Sequence, residues 1–439
     1  MLLGCGHDVA QPPPPPPTPR HHLAPQADTT MNGRVVYDRI TIPSGVVVTT
    51  SSRLALFARG EVRVEGTLQG PTDAALSVHG DSAVIVSGTI RNAATGTAPT
   101  TAAPVLLVGR GGVRLSGATV QSSGRVVVLN DSLDADGGLP GNASSAGISV
   151  TGSTLSIVPT NARAGTDAIL GASGSRGGDL LILARGVLTL AGRTELSAQN
   201  GGKGGDGQHE NANGAFAEGG VGGSGGGVTL RSRTRIDVAP ASLCTIQSGD
   251  GGDGGRADAT GLPGATGSAG ASAAAHGGHG GGAGALTIES VASMEVQGAI
   301  ELVTGTGGNG GVGNALSADG RPASGTIAAQ SGGDVDAQGG AGGASPPPTI
   351  GIVTMSGGSL QLSGGAGGDG GPAVAVPGRG GAGNTNRRDG AAGGSAFVRG
   401  GDGGRCGVLV GDTPIAAGGN GGGVLVQGGR GGEGYNACA

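Results

Sequence analysis

The amino-acid sequence predicts an all-β chain wound as a parallel β-helix, a solenoid whose glycine-rich inserts lengthen toward the C-terminus. The first observation is a short pattern (apolar, any, apolar, any, Gly) that recurs in one phase. Its copies are Val62-x-Val64-x-Gly66, Val84-x-Val86-x-Gly88, Val113-x-Leu115-x-Gly117, Ile148-x-Val150-x-Gly152, Leu188-x-Leu190-x-Gly192, Met294-x-Val296-x-Gly298, Leu360-x-Leu362-x-Gly364 and Val424-x-Val426-x-Gly428, with a degenerate Ile236-x-Val238-x-Pro240. From position 66 to 364 the intervals rise: 22, 29, 35, 40, 48, 58 and 66. The second observation is composition. Of 439 residues 102 are Gly, 1% are aromatic and none is Trp, so the core must be thin aliphatic layers completed by repetition. The third is that no stretch between Val35 and Ser197 holds a helical period.

Residues 1–32 read as a disordered tether, with Pro12 to Pro17 as stiff polyproline and His21 and His22 outside any apolar period. Residues 33–199 read as coils with short loops. Runs such as Arg39-Ile40-Thr41-Ile42, Leu54-Ala55-Leu56-Phe57 and Val105-Leu106-Leu107-Val108 lie between turn-forming residues. Parallel neighbours need long connections, so coils of two or three strands stacked at about 4.8 Å satisfy both the spacing and the pattern. The Gly after each strand then marks a corner requiring positive φ or close backbone approach. A β-sandwich also alternates, but does not predict one Gly phase at rising intervals.

Residues 200–439 read as the same solenoid with long inserts. Gly201-Gly202-Lys203-Gly204-Gly205-Asp206-Gly207, Gly249 to Gly255, Gly305 to Gly311 and Gly364 to Gly371 each follow a strand copy. A second tract enters the next strand, as in Gly281-Gly282-Ala283-Gly284-Ala285-Leu286-Thr287-Ile288. The strand-and-Gly unit resembles the right-handed β-helix regions of large bacterial surface proteins. The Gly-Gly-x runs are similar to the PGRS segments of mycobacterial PE-PGRS proteins, although the PE-type N-terminal domain is missing. That resemblance covers roughly residues 200–434 and implies packed polyglycine II helices. The alternative is a set of flexible loops, because ordering Gly is entropically costly.

Leu2-Leu3-Gly4-Cys5 resembles a bacterial lipobox. It implies lipidation of Cys5, an outer-membrane or other envelope location, and a membrane as partner through the lipid. Cys406 and Cys438 either bridge the C-terminal coil in an oxidising compartment or are two unpaired small residues. Cys244, in Ser242-Leu243-Cys244-Thr245-Ile246, reads as an apolar strand residue.

Sites for chemistry are sparse. Gly201 to His209 nearly matches the Ca²⁺ nonapeptide of β-rolls, but Gln208 replaces its apolar residue, and Gly371 breaks the second near-match. Asp250, Asp253, Asp369 and Asp402 are scattered carboxylates suited at most to weak divalent binding. His276 and His279 lack the further ligands of a zinc site and read as solvated loop residues. The collagen-like triplets of residues 261–270 are too short for a triple helix. There is no Walker-type Gly-Lys-Ser/Thr, and Gly222-Gly223-Ser224-Gly225-Gly226 lacks the strand-turn-helix setting of a nucleophile elbow. Catalytic and cofactor residues are therefore expected to be none, with no metal and no cofactor.

The formal charge of -5 is dispersed, and no basic stripe interleaves with aromatics, which argues against nucleic acid. The expected function is a non-enzymatic structural or adhesive protein of the cell surface. Its expected partners are extracellular polysaccharide or other surface proteins. The alternative is a β-helical protein that binds or cleaves polysaccharide, with candidates Arg59, Glu61, Arg63 and Glu65. Alternation places Glu61, Arg63 and Glu65 outward, opposite Val62 and Val64. The dearth of aromatic stacking platforms weighs against sugar binding.

Overall fold

A computed structural model describes residues 20–92, 102–130, 147–158, 161–264, 268–324, 326–351, 353–384 and 390–405. It also describes the strands Leu409–Val410, Thr413–Pro414 and Val424–Val426. Cys5, Pro12 to Pro17, Cys406 and Cys438 lie outside the described residues. Every regular element among the described residues is a strand.

The strands form a parallel solenoid in which successive coils contribute one strand to each of three faces. On the first face Leu54–Ala58 is followed by Leu76–Gly80, Val105–Gly109, Val126–Leu129, Leu180–Ala184, Val228–Ser232, Leu286–Ser290 and Thr349–Ile350. On the second face Glu61–Val64 leads through Ala83–Val86, Val113–Ser116, Ile148–Thr151, Leu188–Ala191, Ile236–Val238 and Met294–Val296 to Val353–Met355. The third runs from Thr29–Thr30 through Val47–Thr49 and Thr67–Gln69 to Ser359–Ser363. The long strand Gly33–Ile42 serves two faces: its first half pairs with Leu54–Ala58 and its last residues with Glu61–Val64.

Inward residues stack in ladders because equivalent positions stay in register. On the second face Ile40, Val62, Val84, Val113, Ile148, Leu188, Ile236 and Met294 form one buried file. On the third, Val48, Leu68, Ile90, Val120, Leu155, Leu196, Ile246 and Leu302 form another. Each buried Val or Leu contributes about 1.5–3 kcal/mol, so stacked files suffice without aromatic residues. Cys244 lies in the third-face strand Leu243–Gln247, fully buried, as its apolar setting predicts.

The repeated Gly has both expected roles. Gly117, Gly152 and Gly192 adopt φ of 63°, 53° and 62°. Gly88 instead lies against the carbonyl of Gly66, where a Cβ would collide. In the degenerate copy, which carries Pro240, the left-handed residue is Ala241, at φ 55°.

Two copies of the pattern belong elsewhere. Leu360 pairs with Ile300 on the third face, and Val424 pairs with Ala373 in the side lobe. The second-face successor of Met294 is Val353, in Val353-x-Met355-x-Gly357, a copy that fits the pattern and closes with Gly357 at φ 91°. Nor does the rising interval have one cause. Leu129 ends a first-face strand and Ile148 begins a second-face strand, so the extra sequence there falls between the first and second faces. From residue 158 onward the inserts leave between the third and first faces: 158–179, 198–227, 248–285 and 304–348, which are 22, 30, 38 and 45 residues long.

These last inserts build a lobe. The first returns past Gly171, Gly174, Gly177 and Gly178, and from the second onward each runs out along one glycine tract, through two short strands, and back along another tract. The distal strands form parallel sheets, Gly207–Asn211 to Val424–Val426 and Ala215–Glu218 to Ala396–Arg399. They share a thin core of Ala215, Ala217, Ala257, Ala259, Ala273 and Ala275 with later equivalents.

Between solenoid and alanine core the tracts bond to each other with a three-residue period. Gly249, Gly252 and Gly255 donate to the carbonyls of Gly226, Gly223 and Gly220 in the previous return tract. Gly251 and Gly254 donate to Thr306 and Asn309 in the next outgoing tract. Gly278, Gly281 and Gly284 donate to Gly255, Gly252 and Gly249 within one insert. Packing is close enough that a Cβ on Gly251 or Gly252 would strike the backbone of Gly281 or Gly202. The inserts are thus built structure, with their amides bonded tract to tract.

Candidate binding surface

Every third tract residue faces outward, and its amide has no tract neighbour. At several of these positions a side chain of the preceding coil supplies the acceptor that the tract lacks. Asn200 Oδ1 accepts the Asp250 N–H at 2.8 Å, and Asp250 Oδ1 accepts the Thr306 N–H at 2.7 Å. Asp253 Oδ1 accepts the Asn309 N–H at 2.8 Å, and Asn309 Oδ1 accepts the Asp369 N–H at 2.9 Å. Asp334 Oδ1 accepts both the N–H and the hydroxyl of Ser395, which holds its carboxyl below the usual carboxylate range. Asp250 and Asp253 therefore act as backbone caps. A shallow groove of about 410 Å³ runs between the columns, past Asn161, Asn200, Lys203, Asp250, Asp253 and Asn309. Among the described residues no three His, Cys, Asp or Glu side chains converge as metal ligands.

The histidines are strand and cap residues rather than free loop side chains. His279 Nδ1 accepts the Ala341 N–H at 2.8 Å. His209 Nδ1 accepts the Phe216 N–H at 2.9 Å, covering the free edge of the strand Ala215–Glu218. His276, in the strand Ala273–His276, meets the Phe216 ring edge-on at 5.6 Å, with Nε2 3.6 Å from Asp336 Oδ2.

The lobe also carries two exposed aromatics. Phe216 is 39% exposed and Phe397 58% exposed, in a chain with three Phe in all. Register puts Phe216, Ala274, Asp336 and Phe397 in one outward row of the distal sheet, beside Glu218, His276, Gln338 and Arg399. The residues' spacing in sequence (58, 62 and 61 positions apart) hides the row, because it appears only when the inserts are aligned.

On the solenoid, Val62 and Val64 are buried and Glu61, Arg63 and Glu65 face outward, as alternation predicts. Arg63 Nε donates to Glu61 Oε1 at 3.0 Å and Nη1 to Glu65 Oε1 at 3.4 Å, which raises the guanidinium pKa. A cleft of about 630 Å³ lies along this face, past Glu61, Arg63, Ile85, Arg114, Ser149 and Thr189. Arg59 does not line it.

Farther along the same outward file, Asp237 and Glu295 occupy adjacent rungs. Burial lifts the Asp237 carboxyl above its ordinary range, with Glu295 adding to the effect and Arg235, 3.0 Å away, opposing it. Hydrogen bonds from Gln297 at 2.7 Å and Ser356 at 3.2 Å hold Glu295 below its ordinary range. Two carboxylates pushed in opposite directions are the arrangement acid–base pairs use. Sequence reasoning missed this pair because the two residues lie 58 positions apart. Cys244 is a free thiol, and burial pushes its pKa up to about 11, so the neutral form persists and reactivity is low. No protein-family model, curated protein or solved structure matches this chain.

Proposed function

We propose that this chain is a non-enzymatic structural or adhesive protein of a bacterial cell surface or envelope, built as a right-handed parallel β-helix bearing a polyglycine II lobe. Cys5 would hold it to a membrane as a lipoprotein. The three-residue hydrogen-bond period and the absence of positive φ from the paired tract glycines among the described residues support the polyglycine II reading. Parallel crossovers are right-handed in about 98% of cases, which supports the handedness.

The functional reading rests on one observation. The lobe's glycine amides are bonded between tracts, and caps from Asn200, Asp250 and Asp253 cover outward ones, so the lobe holds a fixed surface of regularly spaced side chains. An enzyme needs groups converging on one reacting atom; a scaffold needs area and rigidity. The experiment is to express the full chain in a bacterium, follow radiolabelled palmitate, and test attachment of purified protein to isolated envelopes. Label lost in Cys5→Ser together with saturable attachment supports the reading. An unlabelled, cytosolic protein that attaches to nothing overturns it.

The second reading, a polysaccharide-cleaving protein, is favoured by the cleft past Glu61 and Arg63 and by the opposed Asp237 and Glu295. Bond cleavage abolished by Glu61→Gln or Asp237→Asn would establish it; intact polymers with both wild type and variants would dispose of it.

A further inference from the structure

The geometry points to a saccharide-binding row on the outer face of the distal sheet, bracketed by Phe216 and Phe397 and suited to an extended, uncharged polysaccharide. This inference rests on the adhesive reading and names what the lobe grips.

Phe216 and Phe397 stand three rungs apart on one file, roughly 14 Å at strand spacing. A buried ring contributes large apolar area to a core, yet this chain exposes two of its three Phe on one face while filling its cores with Val, Leu, Ile and Ala. Between the rings lie Ala274, the smallest side chain of the row, and Asp336, whose Oδ1 accepts from Gln338 Nε2 at 3.4 Å. His276 lies alongside, its ring fixed against Phe216. Flat rings at the ends and planar polar groups between them match an extended sugar chain, whose pyranoses offer apolar C–H faces and hydroxyl edges. A protein partner would want a contiguous apolar centre, which Asp336 and Gln338 interrupt.

Charge narrows the ligand further. Glu218 and Asp336 are acidic, and the Arg399 guanidinium is engaged by Asp402 at 3.4 Å. Anionic uronate polymers meet repulsion here, whereas neutral chains do not.

The test is affinity electrophoresis of the full chain through gels containing hydroxyethyl cellulose, glycol chitin, dextran or alginate. The proposal expects retardation in at least one of the first three and none in alginate. Phe216→Ala and Phe397→Ala should each weaken it about tenfold and the pair abolish it, with Phe216→Tyr restoring it. Both rings are exposed, so melting temperatures should stay near wild type; a variant that melts early is replaced by its Leu counterpart, which keeps the apolar volume but lacks a ring. Unchanged retardation in the double variant, retardation by alginate alone, or none in any gel would overturn the row. Attachment of wild type to isolated envelopes separates the two readings. If wild type and double variant attach equally, the row fails while the adhesive reading stands; if neither attaches, both fail.

Discussion

Asp250 Oδ1 accepts both the backbone N–H of Thr306, at 2.7 Å, and its hydroxyl, at 3.2 Å, across one coil of the lobe. The contact repeats in kind between Asp253 and Asn309, so an outward side chain serves as the backbone partner that the glycine lattice lacks. Asp250→Ala should cost about 1–2 kcal/mol and speed amide exchange at Thr306, whereas Asp250→Asn, which keeps an acceptor, should stay near wild type. Denaturant unfolding and exchange at Thr306 read both. Equal loss in the two variants would show that charge, not the hydrogen bond, matters.

The lattice has no room at its inner positions. A Cβ on Gly252 would meet the Gly202 carbonyl, so Gly252→Ala should destabilise the lobe by about 1–3 kcal/mol. The outward position one residue on already carries Asp253 and tolerates side chains. A calorimetric scan in which Gly252→Ala melts like wild type would mean the tracts are not packed as described.

Ala241 occupies the left-handed region without being Gly. That conformation costs a non-Gly residue roughly 1–2 kcal/mol, partly offset by the extra unfolded-state freedom of Gly. Ala241→Gly should therefore stabilise by about 0.5–1 kcal/mol. An unchanged or lower melting temperature would contradict the corner geometry.

Asp237 supplies a pH signature. Its folded pKa is raised, so its favourable contribution is present below the unfolded value and lost as pH rises through the folded value. Asp237→Asn should be more stable than wild type at pH 7, with the difference fading as pH falls through the carboxylate range. Thermal melts at several pH values check this, and a variant less stable at pH 7 would refute it.

Much of the solenoid was legible because its inward period is two and its corners demand Gly. Val62, Val64 and Gly66 announce a strand and a turn by residue type alone. Leu360 and Val424 misled because third-face and lobe strands carry the same alternation, and only pairing separates them from Val353. The site was less legible. Asp250 and Asp253 look like cation ligands when the lattice that orphans the Thr306 and Asn309 amides is unseen. Phe216 and Phe397 look like isolated aromatics until insert lengths are known. Residue type predicts local geometry; it does not predict which coil a residue faces.

Amide hydrogen exchange across residues 305–346 tests the ordered lobe most directly. The tract bonds predict that Gly308, Gly311, Gly340 and Gly343, which donate to Gly281, Gly278, Gly311 and Gly308, exchange as slowly as solenoid amides such as that of Leu286. Exchange at the rate of an unstructured glycine peptide would contradict it, and the fixed surface that carries the adhesive reading would be lost with it.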